Sequence, residues 1–413
     1  MLALFVLAVL VGVAAVGDEG VLASVTSDEL GSVHVNSSSG DQPVFLNGVD
    51  VVSELQQQRA VVEEQAQQIA ELNSLAQVQA SHITALQEQV CALDSPTTSF
   101  IPGAGTSTGQ WQGGVLAPNG LIYGVPYSST YVLIVNPVTQ TIDTTTITGL
   151  PASEYKWNGG VLAPTSNIIY CIPSRADNVL KIDSATHTAD WTTITGFDST
   201  IFKFSGGVLG NNGLIFGIPS SARFVLIIDP ATDTIDTTTL SGLGTNDLKW
   251  SAGVVVPDGR IFGIPYYDDA VLIIDPATNT IDTTSIAGVH GQALWADGVL
   301  ANNGLINGIP GASDSVLIID PEAMTADTTS LSVPSGSLWM GAVLANNGKI
   351  FGIPYSANAV LIIDPETNTA DTTTLTDVGT AQYKYLGGVL ADNGKIFAFP
   401  SNTGNVLVIH PGC

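Results

Sequence analysis

The chain is short of charge, and shortest of positive charge. Only 12% of its 413 residues are charged, with 11 Lys and Arg against 37 Asp and Glu, for a formal charge of −26. That balance repels phosphate backbones and anionic head groups, so no nucleic acid and no direct membrane binding are expected, while cations, basic proteins and neutral glycans stay open as partners. Ion pairs cannot cover such a surface, which is left to hydroxyls, amides and backbone. Histidine is equally sparse: His34 and His82 precede the repeats described below, and His187, His290 and His410 fall at unrelated repeat positions. With no Glu-His helix pair, nucleophile elbow or paired-Cys spacing, no catalytic residue and no metal ligand can be assigned.

A long hydrophobic run is missing too. The apolar stretch Met1 to Gly17 ends in Ala14, Ala15, Val16 and Gly17 before Asp18-Glu19. At about 16 apolar residues it is short of the roughly 20 that span a bilayer, and it reads as a signal peptide cleaved near Gly17, although no Lys or Arg precedes it. A secreted or extracellular-surface location follows. The sequon Asn36-Ser37-Ser38 in the polar segment 18–50 makes Asn36 a candidate glycosylation site and agrees with export. Short strands are expected there near Val33 to Val35 and Val44 to Leu46.

Glycine and proline are absent from 51–93, where Gln, Ala, Glu and Leu dominate, so one long helix is expected. Leu55, Val62, Ile69, Ala76, Ile83 and Val90 recur every seven residues, with Gln58, Gln65, Leu72, Gln79, Leu86 and Leu93 in the complementary positions. This is a coiled-coil pattern with polar layers, and self-association into a dimer or trimer would bury its stripe. Such a stalk would be roughly 60 Å long. Packing against the rest of the chain is the alternative.

From about residue 94 the chain repeats. Trp111, Trp157, Phe204, Trp250, Trp295, Trp339 and Tyr385 form one column at a period that marks propeller blades. One unit reads Trp250 to Val256, a turn at Pro257-Asp258-Gly259, Arg260 to Pro265, a loop, Ala270 to Pro276, a turn, and Ile281 to Ile286, which makes four strands. The expected fold class is therefore all-β: a seven-bladed β-propeller of four-stranded blades over 94–413, preceded by a long coiled-coil helix. The seventh unit stops after its third strand, and Thr97 to Ile101, which resembles a fourth strand, fits the vacant slot and closes the ring. Cys91 and Cys413 then fall in the same turn, where a disulfide would lock the closure in an oxidising compartment, with two unpaired thiols or bridges between stalk helices as the alternatives. Cys171 replaces a strand glycine and is expected to be a buried, inert thiol.

The grammar of Asn346 to Pro365, a turn, Lys349-Ile350-Phe351-Gly352-Ile353-Pro354 and then Val360-Leu361-Ile362-Ile363-Asp364-Pro365, resembles that of the streptogramin-lyase, gluconolactonase and NHL-type propellers. The resemblance spans 97–413 in strand order and turn placement. In those enzyme families it implies His, Glu, Asp or Asn side chains at the axial channel, often around a divalent metal. Here the inner strands read as Gly-Gly-Val-Leu-Ala variants without a titratable residue. Asp residues such as Asp275 and Asp364 end the third strands, and others such as Asp282 and Asp371 are expected to open the fourth, where short carboxylates cap turns; calcium is the sharper alternative, though no Asp-x-Asp-x-Asp-Gly loop is present.

The aromatic column starts the innermost strands and is expected at one mouth of the channel, with Lys156, Lys203, Lys249 and Lys384 directly before four of its members. Two roles fit: wedges between blades, or a ring on which a sugar or peptide stacks. The loops between second and third strands, such as Tyr127 to Thr130, Tyr266 to Asp269 and Tyr355 to Asn358, vary most between units, as recognition loops on a constant scaffold do. The functional expectation is a secreted, oligomeric binding or adhesion protein with a glycan or protein ligand. A propeller lyase or lactonase-like hydrolase with a loop-built metal site, and a structural coat component, are the alternatives.

Overall fold

The computed structural model describes residues 53–86 and 94–413 with their side chains, except 106, 290–294 and 337, and gives backbone alone for the ends of the helix and for short strands between 16 and 50. The chain divides into two units, Met1–Val90 and Cys91–Cys413. In the first, Ala23–Ser27 pairs with Val33–Ser37, opposing Ser24 to Asn36, so the sequon lies on a hairpin. The side chain of Asn36 is outside the described residues, as is the leader up to residue 15.

The helix runs over Val51–Leu93, as the run without Gly or Pro requires. Its described side chains are all exposed, including Leu55, Val62, Ile69, Leu72, Ile83 and Leu86 of the seven-residue stripe. No helix among the described residues is long and apolar enough to cross a membrane.

The second unit is a ring of seven four-stranded antiparallel sheets. Six are meanders read in chain order, and the seventh pairs Tyr385–Leu390, Ile396–Pro400 and Asn405–His410 with Thr97–Pro102. The register of the closing pair, Val406 opposite Ile101 and His410 opposite Thr97, makes the last blade from both ends of the domain. Second strands such as Ile261–Pro265 are buried along their whole length, which explains the unbroken apolar run of Ile-Phe-Gly-Ile-Pro.

Each apolar cluster joins two neighbouring blades. Trp157 packs with Tyr123, Val125 and Ile134 of the preceding blade and with Ile169, Cys171 and Leu180 of its own. Cys171 is a free, buried thiol whose pKa burial pushes up. The Asp residues around the fourth strands close Asx turns: Asp282 accepts from the N–H of Thr284 at 2.7 Å and from the Ser285 hydroxyl. The fourth strand ends at this Asp, as in Thr280–Asp282, so the residue closes the strand and does not open it.

Candidate functional site: the axial mouth

Two belts of hydrogen bonds sew the blades together, one on each face. On the face of the hairpin turns, Asn119 donates to Ser184 O at 2.7 Å, Asn303 to Pro365 O at 3.0 Å, Asn347 to Pro411 O at 3.2 Å and Asn393 to Pro137 O at 2.8 Å. The chain enters the ring on this face: Asp94 lies 3.5 Å from His410 Nδ1, and Cys413 Sγ is 3.9 Å from an Asp94 carboxylate oxygen. The expected partner of Cys413, the side chain of Cys91, lies outside the described residues.

On the opposite face, backbone groups of the residue before each inner strand alternate with those of the residue after each second strand. Lys156 N–H donates to Tyr127 O, Ser174 N–H to Lys156 O, Lys203 N–H to Ser174 O and Ser220 N–H to Lys203 O. The belt continues through Lys249 and Tyr266, and through Tyr355, Lys384, Ser401 and Gln110 back to Tyr127. Among the described residues it borders the mouth of the channel from Tyr355 through Tyr127 to Tyr266.

This geometry decides between the two roles of the aromatic column. Trp111, Trp157, Phe204, Trp250, Trp295, Trp339 and Tyr385 are all buried, none more than 2% exposed. Indole N–H groups donate inward to loop carbonyls, Trp250 to Ala270 O, Trp295 to Ser315 O and Trp339 to Ala359 O, each at 2.8 Å. No ligand can stack on faces that carry the packing between blades, so the column acts as wedges and the expected stacking ring is not there.

The lysines follow the same rule. Lys156, Lys203, Lys249 and Lys384 are buried, and their ammonium groups cap carbonyls: Lys249 Nζ reaches Ser220 O, Ala222 O and Asn246 O at 2.9–3.0 Å, Lys384 Nζ reaches Ala357 O and Ala381 O, and Lys203 Nζ reaches Asp198 O. Three donors meet three acceptors at Lys249, which suits an ammonium ion. Burial pulls Lys156 and Lys203 down to about 8.

The accessible aromatics stand one position away. Tyr155, Phe202 and Tyr383 precede the lysines, and Tyr127, Tyr266 and Tyr355 follow the second strands. Their rings meet as a crown: Tyr127 with Tyr155 at 5.2 Å, Tyr155 with Phe202 at 5.5 Å, and Tyr355 with Tyr383 at 5.0 Å between centroids. The Arg175 guanidinium lies 5.4 Å from the Phe202 ring centre. Burial pushes Tyr355 up to about 12, with further contributions from Tyr383, Tyr266 and Tyr155, and the Tyr127 phenol is raised by burial and then by Tyr155 and Tyr355.

Two crown residues hold a backbone that bulky side chains avoid, with φ at 59° for Tyr155 and 58° for Tyr383. Sequence reading singled out the loops that begin at Tyr127, Tyr266 and Tyr355 but missed Tyr155, Phe202 and Tyr383, which vary from blade to blade beside a regular wedge column. That variation was the available signal.

Below the belt, the inner strands enclose an axial cavity of about 210 Å³. At its neck the inner strands of neighbouring blades pack closely where glycines stand: a Cβ on Gly341 would lie 2.6 Å from Gly387 Cα, and one on Gly387 2.6 Å from Gly113 Cα. The equivalent residue in blade 5 is Asp297, which corrects the expectation that the inner strands carry no titratable group. There and at Ala252 the ladder resumes one residue earlier, pairing Asp297 with Ile309 and Ala252 with Ile264. Asp297 accepts from Gly298 N–H and from Ala342 N–H of the next blade, both at 2.8 Å. Burial raises its carboxyl to about 6.

The position after each wedge also lines the cavity: Gln112, Asn158, Ser205, Ser251, Ala296, Met340 and Leu386. The rest of the inner strand is nearly constant, but this position changes in almost every blade. Among the described residues no group of three or more His, Cys, Asp or Glu is arranged to hold a metal ion.

Comparison of the whole structure with known proteins gives the fold. A catalytically inactive virginiamycin B lyase from Staphylococcus aureus, solved with quinupristin, superposes with a TM-score of 0.62 over 76% of this chain and 99% of the lyase, at 11% identity. The chain shares the lyase propeller fold. The extracellular domain of a hybrid two-component system from B. thetaiotaomicron superposes at 0.54 over 74% of the chain and 40% of that domain, at 10% identity. The WD40 propeller of Doa1 does so at 0.58 over 76% and 96%, at 11% identity. No family model and no curated sequence matches the chain. At such identities the likeness concerns architecture, and the seven-bladed resemblance expected from the repeat grammar stands.

Proposed function

We propose that the protein is a secreted, self-associating binding protein whose propeller heads recognise a glycan or protein ligand at the aromatic crown. The observation that carries this reading is the crown itself. Partly exposed tyrosines, two of them in a strained backbone, stand along the hydrogen-bonded belt on the face opposite the point where the chain enters the ring. A solvated aromatic cluster backed by a rigid belt is a preorganised contact surface. The extracellular domain among the structural neighbours, the apolar leader and the sequon support export.

The exposed seven-residue stripe of the helix supports self-association, because a lone helix leaves Leu55, Val62, Ile69, Leu72, Ile83 and Leu86 in water. Several heads on one stalk would raise a weak site to useful avidity. A bridge between Cys91 and Cys413 would fix the closure of the ring.

Glycan and peptide arrays probed with the full chain from residue 18, with Tyr155→Ala and with Tyr383→Ala test the crown. Loss of array binding in both variants, with unchanged melting, is the expected result; unchanged binding refutes the crown. Light scattering of Ile69→Glu/Leu72→Glu tests the stalk, and the reading requires a monomer that binds arrays more weakly than its parent.

A further inference from the structure

The axial cavity is divided. Gln112, Asn158 and Ser205 present amides and a hydroxyl on one side, while Ala296, Met340 and Leu386 make the other side apolar. Asp297 stands in the neck, at the position where five other blades have glycine. Among the described residues the cavity lining contains no Lys, Arg or His, and the carboxylate is met only by two backbone N–H groups. Two amides held at 2.8 Å leave lone pairs on both oxygens and a full negative charge in a narrow, half-apolar space.

A half-buried anion without a counter-ion is costly unless a cation completes it. The crown above is made of aromatic faces, which attract ammonium groups, and the strongly acidic chain raises the local concentration of cations. On the reading that the crown face binds ligand, we propose that the axial cavity beneath it receives a single organic ammonium group, such as an amine-bearing side chain or amino sugar, held against Asp297 with its carbon skeleton on Ala296, Met340 and Leu386. The variation of the residue after each wedge then sets specificity: the polar arc accepts a hydroxyl or amide flank of the same ligand.

The chain carries an internal reporter. It has 3 methionines, of which Met340 lines the cavity and Met324 lies in a hairpin turn against Arg260. With ¹³C-methyl-methionine in the full chain from residue 18, n-butylammonium is titrated against n-butanol. The Met340 methyl resonance is expected to shift saturably with the amine, at a concentration about tenfold or more below any effect of the alcohol, while Met324 stays in place.

Asp297→Asn should abolish the shift. Because an Asn amide facing Ala342 N–H risks local strain, Asp297→Gly, the residue of five sister blades, is the second variant and should abolish it too. An equal response to the alcohol, a response that survives in both variants, or no response at Met340 overturns the proposal. Array binding by the crown is read separately: if it persists while Met340 is silent, this inference fails and the crown reading stands.

Discussion

The turn face and the crown face of the ring do the same mechanical task with opposite kinds of sequence. On the turn face, Asn in the first turn reaches a turn carbonyl of the next blade again and again, from Asn119, Asn303, Asn347 and Asn393. On the crown face the seam is made by backbone groups and by the buried ammonium groups of Lys156, Lys249 and Lys384, so the aromatic side chains above it are released from structural duty. Where the side chain is the fastener it repeats; where the main chain is the fastener, Tyr127, Tyr155, Phe202, Tyr266, Tyr355 and Tyr383 can differ from one blade to another. Regularity in a repeat protein thus marks packing, and departure from it marks the candidate site.

The sharpest way to break this comparison is to remove the closure on which both seams depend. A chain lacking residues 1–102 loses the strand paired with Asn405–His410 and exposes that edge. Its thermal transition, followed by calorimetry or circular dichroism, is expected to lose cooperativity, and a normal two-state melt would contradict the ring as described.

Next comes the contrast between adjacent columns. Trp250→Ala removes a buried indole and its bond to Ala270 O and should cost about 3–5 kcal/mol. Tyr383→Gly, at a crown position with φ 58°, should be neutral or stabilising by up to about 1 kcal/mol, because glycine takes that backbone without strain. Chemical denaturation separates the two; similar costs would erase the distinction between wedge and crown.

Much of the fold was legible in the sequence because blades repeat. The strand order, the turn positions and the borrowed strand all follow from aligning Trp250 to Ile286 with its sister units and noticing that the last unit ends early. The site was less legible for the same reason. The aromatic column was conspicuous and turned out to be core, since a large side chain at the start of every inner strand is what fills the space between splayed sheets. Asp297 was overlooked because a three-dimensional neck, not a spacing, makes one carboxylate among glycines significant. The Asp turn caps were read correctly from chemistry alone, since Asx turns are local.

On the turn face, Asn303→Ala should cost about 1 kcal/mol, the net value of one partly solvated hydrogen bond. A cost near zero would show that the side-chain seam is decorative. Smaller still is the effect of acid. The Thr146 hydroxyl and the Thr145 N–H hold Asp143 at about 2, and the Ser285 hydroxyl and the Thr284 N–H do the same for Asp282. These carboxylates are depressed below the unfolded value near 3.9, so their contribution is complete above about pH 4 and fades as pH falls toward 2. Asp297 has the opposite sign: its carboxyl is raised to about 6, and stability drops as pH rises from about 4 through 6. Melting curves of the parent and of Asp297→Gly across that interval should converge at low pH and separate at neutral pH.

The borrowed strand has a consequence in time as well as in space. Thr97–Pro102 leaves the ribosome before any other strand of the propeller, and its partner Asn405–His410 leaves last. The first-made strand must wait, unpaired, for nearly the entire synthesis of the domain, and the final step of folding is a loop closure across the whole ring. A polypeptide interrupted anywhere before Asn405 therefore cannot seal itself, which makes synthesis of that strand the checkpoint for a finished head.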